Sequence, residues 1–178
     1  MKRLFIGFLV EPSFIESRYI ALRNEFENCL SGKWIDLNAL HVTLKFIGNF
    51  DEERISLLQN ALCEHLQEYR ESFQLRGLSV FSSLGQPNVL YIKVSDSKSF
   101  LKQKATAIEK VCSDFGVPAA KREFVPHLTL ARIKSVNSSF YELLHKHKNT
   151  LFSVVSFYTI AIFESLLTPE GAIYLKIN

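Results

Sequence analysis

His41-Val42-Thr43-Leu44-Lys45-Phe46 recurs, in spacing and in most of its chemistry, as His127-Leu128-Thr129-Leu130-Ala131-Arg132, 86 residues further along the chain. In an extended strand residues i and i+2 point to the same side. Each copy therefore presents an imidazole and a hydroxyl on one face. Val42, Leu44 and Phe46, or Leu128 and Leu130, turn towards a core. A lone strand histidine followed by a threonine is ordinarily a hydrogen-bonded or half-exposed pair. The duplication reverses that reading, because the two copies make two similar halves of one site.

Around these strands the chain alternates between elements. Leu4 to Val10 is a continuous apolar run ended by Glu11-Pro12, which reads as a buried strand. The run is short and no small-residue cleavage site follows, so a secretory signal is not indicated. Ile15, Tyr19, Leu22, Phe26 and Cys29 recur at helical spacing, with Gly32 as a stop, and Trp34-Ile35 then lead into the first motif strand. Asp51 is placed to cap a helix with the stripe Ile55, Leu58, Leu62, Leu66 and Tyr69. From Phe73 the period becomes two, with Gly77 marking a bulge. Gly85-Gln86-Pro87-Asn88 turns the chain into Val89–Val94 as a hairpin. Ser97 is read as the cap of a helix carrying Leu101, Ala105, Ile108, Cys112 and Phe115, stopped by Gly116 and Pro118. The second motif strand (about 124–134) follows, then a short helix (138–147) and a long strand, Leu151–Phe163. A turn at Thr168-Pro169-Glu170-Gly171 precedes a final strand, Ala172–Ile177.

Strands paired by hairpins and interrupted by helices predict an α+β fold with mostly antiparallel sheets. The order of elements suggests two similar lobes, rigidly joined, in a single domain over 1–178. The hydrophobic fraction of 47%, with fifteen Phe, is ample for a packed core. A net charge of +3 suits a phosphate-bearing ligand and excludes a protein that coats nucleic acid. Cys29, Cys63 and Cys112 are odd in number and read as buried or half-buried thiols of a reducing compartment. With no segment long enough to cross a membrane, the expectation is a soluble cytoplasmic protein, monomeric by default.

Cleavage of a phosphodiester needs a base for the attacking oxygen, an acid for the leaving alkoxide and donors for the phosphoryl oxygens. Histidine serves as acid or base near neutral pH. Two imidazoles flanking one phosphate can hold different protonation states, each worth roughly 10²–10⁴ in rate. Thr43 and Thr129 are placed to donate to non-bridging oxygens. No third and fourth ligand stand at metal-site spacing, so no metal or cofactor is expected. His65, His145 and His147 read as surface residues. Ser82-Ser83 and Ser138-Ser139 read as loop and cap chemistry. Strict alternation places Lys45 on the His41 face and Arg132 opposite His127 and Thr129, so Arg132 reaches a phosphate only if the strand ends or twists. Lys121-Arg122, just ahead of the second motif strand, is placed to meet an RNA backbone or, as is commoner for a loop pair, is merely solvated. Trp34 and Phe46 pack in the core in preference to stacking a base.

The chain resembles the two-histidine (2H) phosphoesterases and, within them, the RNA 2′,3′-cyclic phosphodiesterases, also called 2′-5′ RNA ligase-like proteins. The likeness runs from Arg3-Leu4-Phe5-Ile6 through Trp34, HVTLKFIG and Val89-Leu90-Tyr91-Ile92. It continues through Phe124-Val125-Pro126-HLTLAR and Glu164-Ser165 to Gly171-Ala172-Ile173-Tyr174. The resemblance implies a bilobal, pseudo-two-fold fold with helices outside and a central groove carrying both HxT strands. It implies metal-independent hydrolysis of RNA 2′,3′-cyclic phosphate ends, tRNA fragments among them, to a 2′-phosphate. His41 would be the general acid, His127 the general base, and Thr43, Thr129 and Arg132 the phosphate ligands. Rival readings are a 2′-5′ RNA phosphodiesterase or ligase, a small cyclic-nucleotide phosphodiesterase, a metal-dependent phosphodiesterase and a non-catalytic RNA-end binder.

Overall fold

The computed structural model describes every residue of the chain except Leu84, Ser97, Glu170 and Asn178. The apolar run at the start forms β1 (Lys2–Leu9), and Pro12 at the first turn opens α1 (Pro12–Phe26) with Ile15, Tyr19, Leu22 and Phe26 buried. The helix stops at Phe26, short of the expected Cys29 and Gly32. Gly32 lies instead within β2 (Leu30–Trp34), where a Cβ would stand 2.2 Å from the Arg132 carbonyl oxygen. A short 3₁₀ turn, capped by Asp36, leads into β3 (His41–Phe50). Asp51 caps a second 3₁₀ turn, and α2 (Ile55–Ala61) follows. Tyr69, expected to be helical, sits in the two-residue strand β4 (Glu68–Tyr69), because the helix ends within two turns.

The hairpin β5 (Phe73–Ser83) and β6 (Gln86–Ser95) is longer than expected, and β6 takes in Gln86, Pro87 and Asn88 of the anticipated turn. Gly77 carries the expected bulge, with φ +80° and the register shifted between Leu75 and Leu78. The cap read at Ser97 lies outside the described residues. The Asp96 carboxylate accepts the N–H groups of Phe100 and Leu101 at the start of α3 (Phe100–Asp114), and Gly116 ends that helix at φ +79°. Then come β7 (His127–Val136) and α4 (Ser138–Lys146), capped by Asn137. The expected long strand is three strands: β8 (Leu151–Val155), β9 (Tyr158–Thr159) and β10 (Ala161–Thr168). They belong to three different sheets, so continuous apolar sequence here reflects burial on successive surfaces. The chain closes with β11 (Gly171–Lys176); the Glu170 position of the expected turn lies outside the described residues.

One antiparallel sheet has the order β11-β10-β1-β3 and the other β2-β7-β6-β5-β8, while β4 pairs with β9 alone. Each large sheet draws strands from both ends of the chain. The helices cross over as well: α1 packs against β8, and α3 packs against β3. Trp34 therefore ends a strand of the β7 sheet, where it pairs with Ala131, and does not continue into β3. One buried cluster holds residues of both sheets and of all four helices, from Leu4 and Phe26 to Leu58, Ile108, Leu128 and Phe140. No described helix is long and apolar enough to cross a membrane. Cys29 and Cys112 are buried, whereas Cys63 is exposed.

Candidate active site

Both motif strands carry a bulge at the same place. In β3 Lys45 pairs with Ile6 and Thr43 with Gly7, leaving Leu44 as the extra residue. In β7 Ala131 pairs with Leu90 and Thr129 with Tyr91, leaving Leu130 as the extra residue. Leu44 and Leu130 are 86 residues apart, like the histidines. A bulge resets the alternation of side chains. Positions 44 and 45 are both buried, as are 130 and 131, and the next residue emerges on the histidine face.

The consequences correct three readings at once. Arg132 lies on the same cleft as His127 and Thr129, because the bulge supplies the needed change of phase. Lys45 leaves the histidine face and is only 3% exposed. Phe46, expected in the core, is 50% exposed on the cleft, with the Arg3 guanidinium 5.1 Å from its ring centroid. Trp34 is half-buried against Tyr19 and also borders the cleft.

The cleft encloses about 460 Å³, and His41, Thr43, His127, Thr129 and Arg132 all line it. Arg3, Lys33 and Tyr174 complete its rim. Sequence reasoning missed Arg3, Lys33 and Tyr174, since only the exchange of strands between sheets brings positions 3, 33 and 174 together. A second, wider cleft of about 1040 Å³ shares Thr43, Phe46, His127 and Arg132 with the first and extends towards Glu109, Arg122 and Phe124. Of the five candidate residues, Thr43, His127 and Arg132 line both hollows, while His41 and Thr129 line the first.

The histidines are held in matching ways. His41 Nδ1 lies 2.8 Å from the Ala39 carbonyl oxygen and His127 Nδ1 lies 2.7 Å from that of Val125, two residues upstream in each case. A carbonyl accepts only, so each Nδ1 carries the proton and each Nε2 is left for a ligand. Aromatic rings fix the planes: Phe5 and Tyr174 lie 5.0 and 4.5 Å from His41, and Phe81 and Tyr91 lie 4.7 and 5.5 Å from His127. Burial holds both imidazoles below the usual histidine range, and the positive charge of Arg132 acts in the same direction on each. Both rings line the one cleft, and at His41 the neighbouring His127 adds to the effect.

The remaining histidines lie elsewhere. His147 is not a surface residue: its Nε2 is 2.8 Å from Glu25, and it ties α4 to α1. His65 is half-buried, with its Nδ1 enclosed. Among the described residues no three His, Cys, Asp or Glu side chains come together as a metal-binding group.

The family model described as LigT like phosphoesterase matches the sequence twice, over residues 10–91 and 92–174. The chain belongs to the LigT-like phosphoesterases. Each match contains one HxT motif, so the duplication legible at the histidines extends through both halves. Relatives in this family are the RNA 2′,3′-cyclic phosphodiesterase of Aquifex aeolicus, 31% identical over 99% of this chain and 95% of the relative, and that of Archaeoglobus fulgidus, 28% identical over 97% and 96%. Among solved structures, TT0787 of Thermus thermophilus superposes with a TM-score of 0.78 at 22% identity, covering 99% of this chain and 95% of that one. E. coli LigT complexed with 3′-AMP does so with a TM-score of 0.78 at 19% identity and the same coverage. These two likenesses show that the fold of this LigT-like chain is shared.

Proposed function

We propose that this protein hydrolyses RNA 2′,3′-cyclic phosphate ends to 2′-phosphomonoesters by paired-histidine acid–base catalysis without a metal ion. The observation that carries the reading is the pair of Nδ1-tethered imidazoles, each with Nε2 unpartnered among the described residues, on one cleft with the Thr43 and Thr129 side chains and the Arg132 guanidinium. The names of the full-length relatives support the choice of substrate.

In the proposed reaction His127 Nε2 takes a proton from water as the water oxygen bonds to phosphorus. The bond from phosphorus to the 3′ oxygen breaks, and that oxygen takes the proton from His41 Nε2. The product has a 2′-phosphate and a free 3′-hydroxyl. His127 ends protonated and His41 neutral, and exchange with solvent restores the starting state. Thr43 and Thr129 donate to the non-bridging oxygens, and the Arg132 guanidinium balances the charge that builds there. Strain in the five-membered cyclic phosphate lowers the barrier, which is why acid, base and donors suffice. Phe46 offers an exposed ring on which a base can stack. The substrates proposed are RNA termini, tRNA fragments among them, acted on in the cytoplasm by a monomer folded as one domain over 1–178.

The test is an oligoribonucleotide ending in a 2′,3′-cyclic phosphate, incubated in EDTA with the protein, with His41→Ala and with His127→Ala, with 2′- and 3′-phosphate products resolved. Turnover to the 2′-phosphate by the unaltered protein and its loss in both variants is expected. Full activity in either variant, or loss on chelation, refutes the mechanism. Tight binding of the RNA end without turnover would establish a binder.

A further inference from the structure

The two-fold likeness fails beside the motif strands. On one side β2, residues 30–34, pairs along β7 beside the His127 motif. The segment 86 residues later is Gly116-Val117-Pro118-Ala119-Ala120, which runs without strand structure. Among the described residues no strand pairs with the outer edge of β3. Pro118 has no N–H to give to a ladder.

Gly116 and Val117 are bonded back to the end of α3, and Lys45 fastens the rest of the segment to β3. The bulge at Leu44 turns the lysine away from the cleft, and among the described residues it is the one charged side chain in the buried core. Its Nζ donates to the Pro118 carbonyl at 2.7 Å and to Glu109 Oε1 at 2.8 Å, and Glu109 Oε1 also accepts the N–H of Ala120 at 3.0 Å. At the matching place of the other motif stands Ala131, fully buried with a paired strand on either side. The lysine stands where the ladder is missing and the alanine where it is present.

We propose that Lys45 and Glu109 are positioning residues, a side-chain clamp in place of the absent strand. They hold residues 118–120 on β3 and, through the five residues that follow, the Val125 carbonyl that receives the His127 Nδ1 proton. The first motif thereby sets the orientation of the second motif's histidine. The inference rests on His127 being the base of the proposed reaction, but one arm of its test needs no turnover.

The primary variant is Lys45→Met/Glu109→Met, which leaves no lone charge in the core. Lys45→Met, which leaves unpaired only the Glu109 carboxylate at a side chain 31% exposed, serves if the double variant does not fold. Nitrogen-15 NMR of the imidazoles reads the tautomer of His127, with His41 as internal control, and turnover of the cyclic-phosphate oligonucleotide reads kcat and KM separately. The expected result is a mixed His127 tautomer, an unaltered His41, and kcat lower by about 10–100-fold with KM nearly constant, as for a catalytic group displaced by up to an ångström. A folded variant whose His127 keeps the Nδ1–H tautomer overturns the clamp whatever its activity, and so does a shifted tautomer at unchanged kcat. If the unaltered protein fails to turn over the substrate, the functional reading falls and the tautomer arm alone judges the clamp.

Discussion

Substituting Gly7 by alanine tests whether the spacing of β1 and β3 sets the site. A Cβ at Gly7 would stand 2.2 Å from the Val42 carbonyl oxygen and 3.1 Å from Thr43 Cα. Ordinary carbon–oxygen contact lies near 3.4 Å, so the strands must part by about 1 Å, allowing for the soft edge of the contact. The obstacle is backbone, so no side-chain rotation relieves it. Gly7 pairs with Thr43 beside the bulge, and the displacement falls on the segment between His41 and Thr43. Misplacing a catalytic group by 1 Å costs on the order of 10²-fold in rate, and overpacking costs about 1–3 kcal/mol of stability. The assay is kcat for the cyclic-phosphate oligonucleotide alongside thermal unfolding. Gly32→Ala is the companion, since its Cβ would stand 2.2 Å from the Arg132 carbonyl oxygen in the other half. Wild-type kcat and Tm in Gly7→Ala would refute the idea that backbone approach fixes the site.

Three further outcomes are expected. The pH dependence of kcat/KM should be a bell for a coupled pair, with its maximum at the mean of two apparent pKa values that burial and Arg132 both hold below 6.5; a maximum above 6.5 contradicts this. Arg132→Met removes a positive neighbour from both rings, so protonation becomes easier and the bell moves to higher pH, while kcat falls by roughly 10²–10³ as for loss of one oxyanion donor; a profile fixed in pH would show that Arg132 does not face the imidazoles. Phe46→Ala should raise KM for an RNA end while leaving kcat close to wild type, because the ring is on the cleft and the reacting atoms are not its partners; an unaltered KM excludes base stacking.

The site residues are legible because HxT at period two is local: one strand suffices to place His41 with Thr43 and His127 with Thr129. The same rule misplaces Arg132, Lys45 and Phe46, since one extra residue at Leu44 and at Leu130 shifts the phase of the side chains that directly follow. Neither leucine looks different from any other core residue, so only the pairing with Ile6–Gly7 and Leu90–Tyr91 discloses the bulges. The helices of the second half are legible in place, and the stop of α3 is read at Gly116, although the cap of α4 is Asn137 and not the Ser138-Ser139 pair beside it. Leu151–Phe163 reads as one strand because apolar continuity carries no record of which sheet covers it. Gly32 resembles a helix stop because closeness to Arg132, 100 residues away, leaves no local trace.

The exchange of strands and helices bears on how such a molecule can be divided. The half that contains His41 supplies β2 to the sheet of His127 and lays α1 under β8, while the other half lends β10 and β11 to the sheet of His41 and α3 to the back of β3. Cut between the two repeats, neither fragment retains a closed core. Each would expose the seats of the elements it borrows, and the two would regain them only by clasping one another. The boundary at residues 91–92 moreover falls inside β6, the middle strand of the five-stranded sheet, with Tyr91 and Ile92 both buried, so no loop separates the repeats and a cut there would break a paired strand and put new charged termini in the core.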